Sequence, residues 1–433
     1  MINFNETLFF LMSCLLCSFG FFSAIRISGL VVSLFLFVLS FFLIFYNKGK
    51  IKINNIYCIW LFVIFMMIIY SYKLTIEVVA YAVWLLALIF MSVVITSHIE
   101  NFKIETIIKT LIYFSSLTII IVFLESLYPS IILSIFAPFY VQDFYFEELN
   151  RVYSEGGFRG LSVFPNVISM AGAILISYAL FILSSTTKLK KALLFIISVI
   201  GIILSGERSN LVLLPLSIGL SYYLGNNKNR LIRVLKIIGL VILILLSLFF
   251  LYPYLLQFRI FERVFSSIAM LLAGEDVSNG RLHLYISAIN SWQQSPFFGN
   301  GWFYFLLNNR GALGRDVLVH AHNLIFELLC DWGLIGMCFI LLPLLYSLFL
   351  NIKAARNLNQ TTGIFYMTLV LQVYFLLDSL LHVTFYSLNM ISFYFIFILI
   401  FYYSLKKINK ESLAYTDSIG QNSDVLKTSF KFQ

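Results

Sequence analysis

Apolar runs of about 20 residues, parted by short polar breaks, recur along nearly the whole chain. At about 1.5 Å of rise per residue, each run as a helix spans a hydrocarbon core of about 30 Å. The pattern predicts twelve membrane helices, over 8–25, 27–46, 56–72, 78–97, 107–127, 166–185, 191–205, 210–224, 234–255, 323–350, 362–381 and 388–405. A membrane barrel would instead show alternating segments of about ten residues. Two long polar-rich segments interrupt the series, at 128–165 and 256–322. The second contains an amphipathic stretch, 281–292, whose Leu282, Tyr285, Ile286 and Ile289 fit a short helix lying on the membrane surface. The expected fold class is therefore an all-α polytopic membrane protein with about twelve transmembrane helices and two long outer loops carrying short interfacial helices. Its expected parts are helices 1–5 (1–127), an outer loop (128–165), helices 6–9 (166–255), a large outer loop (256–322), helices 10–12 (323–405) and a polar tail (406–433).

Composition agrees. Hydrophobic residues make up 61% of the chain and charged residues 11%, against about 25% charged in soluble domains. The formal charge of +9 does not point to nucleic acid, because the lysines sit in short connections between apolar runs. Basic clusters follow every even-numbered span: Lys48, Lys50 and Lys52; Lys103 and Lys109; Lys188, Lys190 and Lys191; Lys228, Arg230, Arg233 and Lys236; Lys353 and Arg356; Lys406, Lys407 and Lys410. Positive residues favour the cytoplasmic side, so both termini are expected there and both long loops outside. The N-terminus lacks the basic flank and cleavage site of a signal peptide, so the first span is expected to remain as a membrane helix. The five cysteines lie in or beside apolar segments and read as packing residues; Cys14 and Cys17 carry only a weak redox or metal signal. No phosphate-binding glycine loop, HExxH or paired His/Cys set with metal spacing is present.

The outer loops hold seven arginines (Arg151, Arg159, Arg259, Arg263, Arg281, Arg310 and Arg315) and no lysine, although lysine is the commoner residue overall. Arginine's planar fork suits phosphate, and it suits the many loop carboxylates equally well, so about half are expected in ion pairs. Arg208 sits in the tight turn Ser205-Gly206-Glu207-Arg208-Ser209 between two spans, where an arginine near membrane depth needs a partner; Glu207 is one candidate. Arg281 opens the surface helix, and a helix N-terminus beside an arginine suits an anion. Arg159 follows a Gly-Gly-Phe turn ahead of Pro165. His322 stands at the mouth of the tenth span and has the ordinary pKa of a general base near neutral pH. A histidine merely resting at a helix end would leave the same trace. Asn323 is placed to cap the helix, and Asn323, Glu327 and Asp331 share one face. His320 ranks behind His322 as the base. Asp378 and His382, at i and i+4, fit either a cap or a wall of the same cavity.

Gly280-Arg281, the Ser295–Gly301 stretch SPFFGNG, His-Ala-His-Asn at 320–323 and Gly-Leu-Ile-Gly at 333–336 resemble the O-antigen ligase/polymerase superfamily. The spacing from His322 to Gly333, the Ser-Gly-Glu-Arg-Ser turn and the stretch from Phe158 to Asn166 are similar too. The resemblance covers about 155–340 by motif and the remainder by topology. It implies a metal-independent, inverting glycosyltransferase of the bacterial inner membrane, with no cofactor. The implied donor is an undecaprenyl-diphosphate-linked oligosaccharide, used at the periplasmic face during lipopolysaccharide synthesis. Arg208 and Arg281 would bind the diphosphate and His322 would activate the acceptor hydroxyl. Arg159, His320, Asn323, Glu327, Arg315 and His382 are expected around the substrate. Membrane lipid and a chain-length regulator protein are the other expected partners. The ligase branch usually carries leucine four residues after the turn arginine, where this chain has Val212. That departure favours a polymerase over a ligase acting on lipid A-core. A polysaccharide flippase also has about twelve spans, but its loops would be short on both sides.

Overall fold

The structure, a computed structural model, describes residues 4–23, 29–47, 51–139, 158–162, 164–184, 186–225, 259–275, 281–309, 319–357 and 363–419, with isolated positions between 239 and 278. The expected ninth span at 234–255 and the loop tips at 140–157 and 310–318 lie almost wholly outside the described residues.

Among the described residues the chain is helical, without a strand. The helices are α1 (Phe4–Phe21), α2 (Gly29–Asn47), α3 (Asn55–Ile69), α4 (Ile76–Ser97), α5 (Ile104–Leu127), α6 (Pro129–Phe136), α7 (Pro165–Phe181), α8 (Lys188–Ser205), α9 (Asn210–Leu224), α10 (Arg259–Leu272), α11 (Arg281–Gln294), α12 (Tyr304–Asn308), α13 (Leu324–Asn357), α14 (Ile364–Ser379) and α15 (Leu388–Ile419). Six of them, α1, α2, α4, α5, α13 and α15, are long and apolar enough to cross a membrane. Four shorter apolar helices, α3, α7, α9 and α14, stand beside them. Local chemistry sets several ends. Pro129 and Pro165 occupy first-turn positions where a missing N–H costs nothing. Gly206 ends α8 in the left-handed conformation at φ 72°.

α15 is apolar all round from Met390 to Phe401, and that stretch is buried almost throughout, which makes it the central post. It packs against α1, α4 and α14. Two polar contacts fix its register inside the apolar mass: Trp84 Nε1 donates to Ser392 at 2.9 Å, and Ser347 meets the Tyr394 hydroxyl at 2.6 Å. α2 lies at the rim, with Leu34 64% and Phe45 77% exposed, as a lipid-facing surface requires.

The predicted continuous helix over 323–350 is a correction. α13 runs further, to Asn357, and is broken at Gly333, where φ 64° and ψ −170° are not helical. The SPFFGNG loop threads into the break and satisfies the groups that it frees. Leu334 N and Ile335 N donate to the carbonyls of Pro296 and Phe297 at 2.9 and 3.0 Å. Asn300 N and Gly301 N donate to the carbonyls of Cys330 and Asp331 at 3.0 and 2.8 Å. Broken backbone is tolerated at membrane depth only where protein restores its hydrogen bonds. Gly299 and Gly333 face each other so closely that a Cβ on Gly333 would lie 2.5 Å from the Gly299 nitrogen. Gly333→Ala therefore combines the strain of a backbone region that is essentially glycine's alone, about 1–3 kcal/mol, with an overlap between two backbones. It should abolish the monodisperse peak of the detergent-extracted protein, and a wild-type yield would show that the loop can withdraw without loss.

Candidate functional site

The break leaves a short helical piece, 324–332, whose mouth carries the expected stripe. Asn323 caps it as predicted: its Oδ1 accepts from Ile325 N at 2.9 Å and Phe326 N at 3.1 Å. Its Nδ2 donates to Leu380 O at 2.8 Å, tying the mouth to the end of α14. Glu327 and Asp331 are buried, and both turn back to the loop backbone. Asp331 accepts from Phe303 N at 3.1 Å and Phe305 N at 2.8 Å, the amides that open α12. Glu327 accepts from Ala321 N at 3.0 Å and makes a short contact with His320 Nδ1. Thus the stripe read from spacing is real: Asp331 holds the opening of α12, and Glu327 holds the segment that carries the histidines.

His322 adopts a left-handed backbone, φ 55°. Such a conformation in a residue other than glycine costs about 1–3 kcal/mol and persists where the surroundings impose it. Burial, then the charges of Arg281, His320 and His382, lower its pKa to about 3, with Glu207 opposing. The imidazole is therefore neutral at physiological pH and sits in a field of positive charge.

Arg281 is the foremost of these charges, and Arg208 lies within its reach. Arg281 opens α11, and its guanidinium donates to Leu381 O at 2.6 Å. The turn between α8 and α9 carries Arg208, which donates to Ser267 at short range and to Arg263 O at 3.4 Å. Arg263 in turn donates to Gly206 O at 3.4 Å. Burial, then the neighbouring charges of Arg263 and Arg281, lower the pKa of Arg208, while Glu207 raises it. Three arginines and a neutral histidine drawn from three distant parts of the chain thus share one electrostatic environment.

His382 bridges these parts. Its Nδ1 is 2.7 Å from Asp378 Oδ1, and its Nε2 is 3.5 Å from Glu207 Oε2 and 3.3 Å from Ser209 Oγ. Burial opposes the charge of the ring, yet the carboxylates of Asp378 and Glu207 outweigh it and raise the pKa to about 10. His382 is a cation here, and it fastens the Arg208 turn to α14. Asp378 is fully buried and also accepts from Asn166 at 3.3 Å and from Thr384 at short range. Arg159 lies in a turn pinned on both sides. Gly160 N donates to buried Glu125 at 2.7 Å, and Phe158 N donates to Leu204 O at 3.1 Å, which brings this turn beside the Arg208 turn.

Arg208, Arg281, His322, His320, Asn323, Glu327 and His382 are therefore brought to one end of the bundle, with Arg159 on its flank. Arg315 lies outside the described residues. Sequence reasoning missed Ser267 and the close approach of Arg263. The signal was available in α10, whose Arg263 and Ser267 recur at i and i+4 on a side turned away from the exposed apolar Ile268 and Leu272. Comparison with curated proteins finds no match. Residues 193–341, the stretch with the Arg208 turn, the Arg281 helix and the His-Ala-His-Asn mouth, match the family model described as O-antigen ligase, which bears out the O-antigen ligase/polymerase superfamily that the motifs indicated.

Proposed function

We propose that the protein is an inverting, metal-independent O-antigen polymerase. It transfers a growing glycan from undecaprenyl diphosphate onto a new lipid-linked repeat unit at the periplasmic face of the inner membrane. The observation that carries this reading is the coupling of the neutral His322 to the charge of Arg281, which in turn shares its surroundings with Arg208 and Arg263. A diphosphate is already a good leaving group, so the reaction needs charge stabilisation more than a strong acid. The acceptor hydroxyl attacks the anomeric carbon from the face opposite the diphosphate, and the carbon–oxygen bond to phosphate breaks. The arginines take up the developing charge, and His322 takes the hydroxyl proton. Bound diphosphate also places negative charge beside His322 and offsets the cations that hold its proton affinity down.

A ligase acting on lipid A-core is the second reading, favoured by the description of the matching family. Val212, the residue that set this chain apart from the ligase branch, is 63% exposed on α9. The lipopolysaccharide ladder of a deletion strain separates the two. A lost polymerase leaves single-repeat products on the core. A lost ligase leaves a bare core with polymer held on the lipid carrier. The orientation has its own check: a reporter fused after Asn308 should be periplasmic and one after Asn351 cytoplasmic, and the reverse result would overturn the placement of the site.

A further inference from the structure

Glu327 is 1% exposed in the first turn of α13, and both its oxygens are committed. Oε2 holds the Ala321 amide at 3.0 Å and Oε1 holds His320 Nδ1. The His320 ring lies against Tyr386 at 5.2 Å and Phe303 at 6.3 Å between centroids. The next residue after this clamp is His322, in its left-handed conformation. On its other side Asn323 is fixed by the helix cap and by Leu380 O. A carboxylate at this depth is costly unless its contacts repay the desolvation, and the side-chain hydrogen bonds of Glu327 go to His320 and Ala321, the two residues ahead of His322.

We infer that Glu327 is a positioning residue for His322: its two oxygens lock His320 and Ala321, and the locked segment imposes the left-handed His322 backbone at the mouth of α13. The inference rests on the reading of His322 as the acceptor base. It assigns Glu327 no contact with the donor diphosphate and His320 no proton-accepting step.

The test is glycan transfer by the purified full-length protein in lipid nanodiscs, with undecaprenyl-diphosphate-linked O-antigen from the native strain as substrate. Glu327→Ala should lower kcat about tenfold to a hundredfold, the scale of a 1 Å misplacement of a reacting group, with KM for the lipid-linked donor unchanged. Glu327→Gln should keep most of the activity, because its carbonyl can still accept from Ala321 N and its amide can donate to His320. Glu327→Asp, too short to reach both groups, should fall near alanine; it carries the test if Glu327→Ala fails to accumulate. In a His322→Ala background, Glu327→Ala should add no further loss. Undiminished kcat in Glu327→Asp, a raised donor KM in Glu327→Gln, or a full additional loss in the double variant would each overturn the inference. Normal activity of His322→Ala alone overturns the underlying reading of the base instead, so the two failures are distinguishable.

Discussion

Arg208→Lys and Arg281→Lys should each reduce polymer formation almost as far as the alanine variants do, by about 10²–10³ in rate, the cost of removing one preorganised donor from a developing oxyanion. Charge is the same in arginine and lysine; what differs is the fork. Arg208 lies between Ser267 and the Arg263 carbonyl, and Arg281 is braced on the Leu381 carbonyl. Each brace fixes the orientation of a planar guanidinium. A lysine ammonium is a point charge on a flexible stem and cannot hold a brace and present two parallel donors together. Quantifying chain-length distribution in cells, with protein level confirmed by blot, decides the matter. Wild-type distributions in both lysine variants would show that these arginines are ordinary outer-face charges.

His322→Ala should cost about 10²–10⁴ in rate, the usual contribution of a general base, and His322→Gln should fail as well, since an amide cannot accept and release the proton. Neither change should disturb insertion, because the helix cap belongs to Asn323. The pH dependence gives a second signature. With the pKa lowered to about 3 in the free protein, His322 stays in its basic form down to strongly acidic pH. Its protonation should therefore leave kcat/KM, which reports the free enzyme, unaffected until far below pH 6. Bound diphosphate should raise the proton affinity, so the acid limb of kcat should lie at higher pH than that of kcat/KM. Coincident limbs would mean that the diphosphate does not sit beside His322. Normal polymer from His322→Gln would move the base elsewhere, with His320 the first alternative.

Much of the scaffold was legible because lipid demands long apolar runs. The structured helices start and end within a few residues of the expected spans in most cases, and α11 spans Arg281–Gln294 against an expected 281–292. The Asn323 cap was legible for a local reason: side chain and amides lie within three residues of each other. The break at Gly333 was not, since a glycine within an apolar run also occurs in unbroken membrane helices, and the loop that fills the gap comes from more than 30 residues earlier. Contacts between distant segments were equally hidden. Glu207 was read as a neighbour for Arg208, and its reach to His382 depends on how α14 packs beside α9. Arg208 and Ser267 are 59 positions apart and meet only because α10 returns over the turn.

The segment just after α14 gathers the site. Leu380 receives Asn323, Leu381 receives Arg281, and His382 holds the Glu207 turn. During synthesis, a chain that has emerged only as far as α13 already contains Arg208, Arg281 and His322, yet lacks the three residues that brace them. Transfer competence should therefore switch on late, when α14 and the turn beyond it insert.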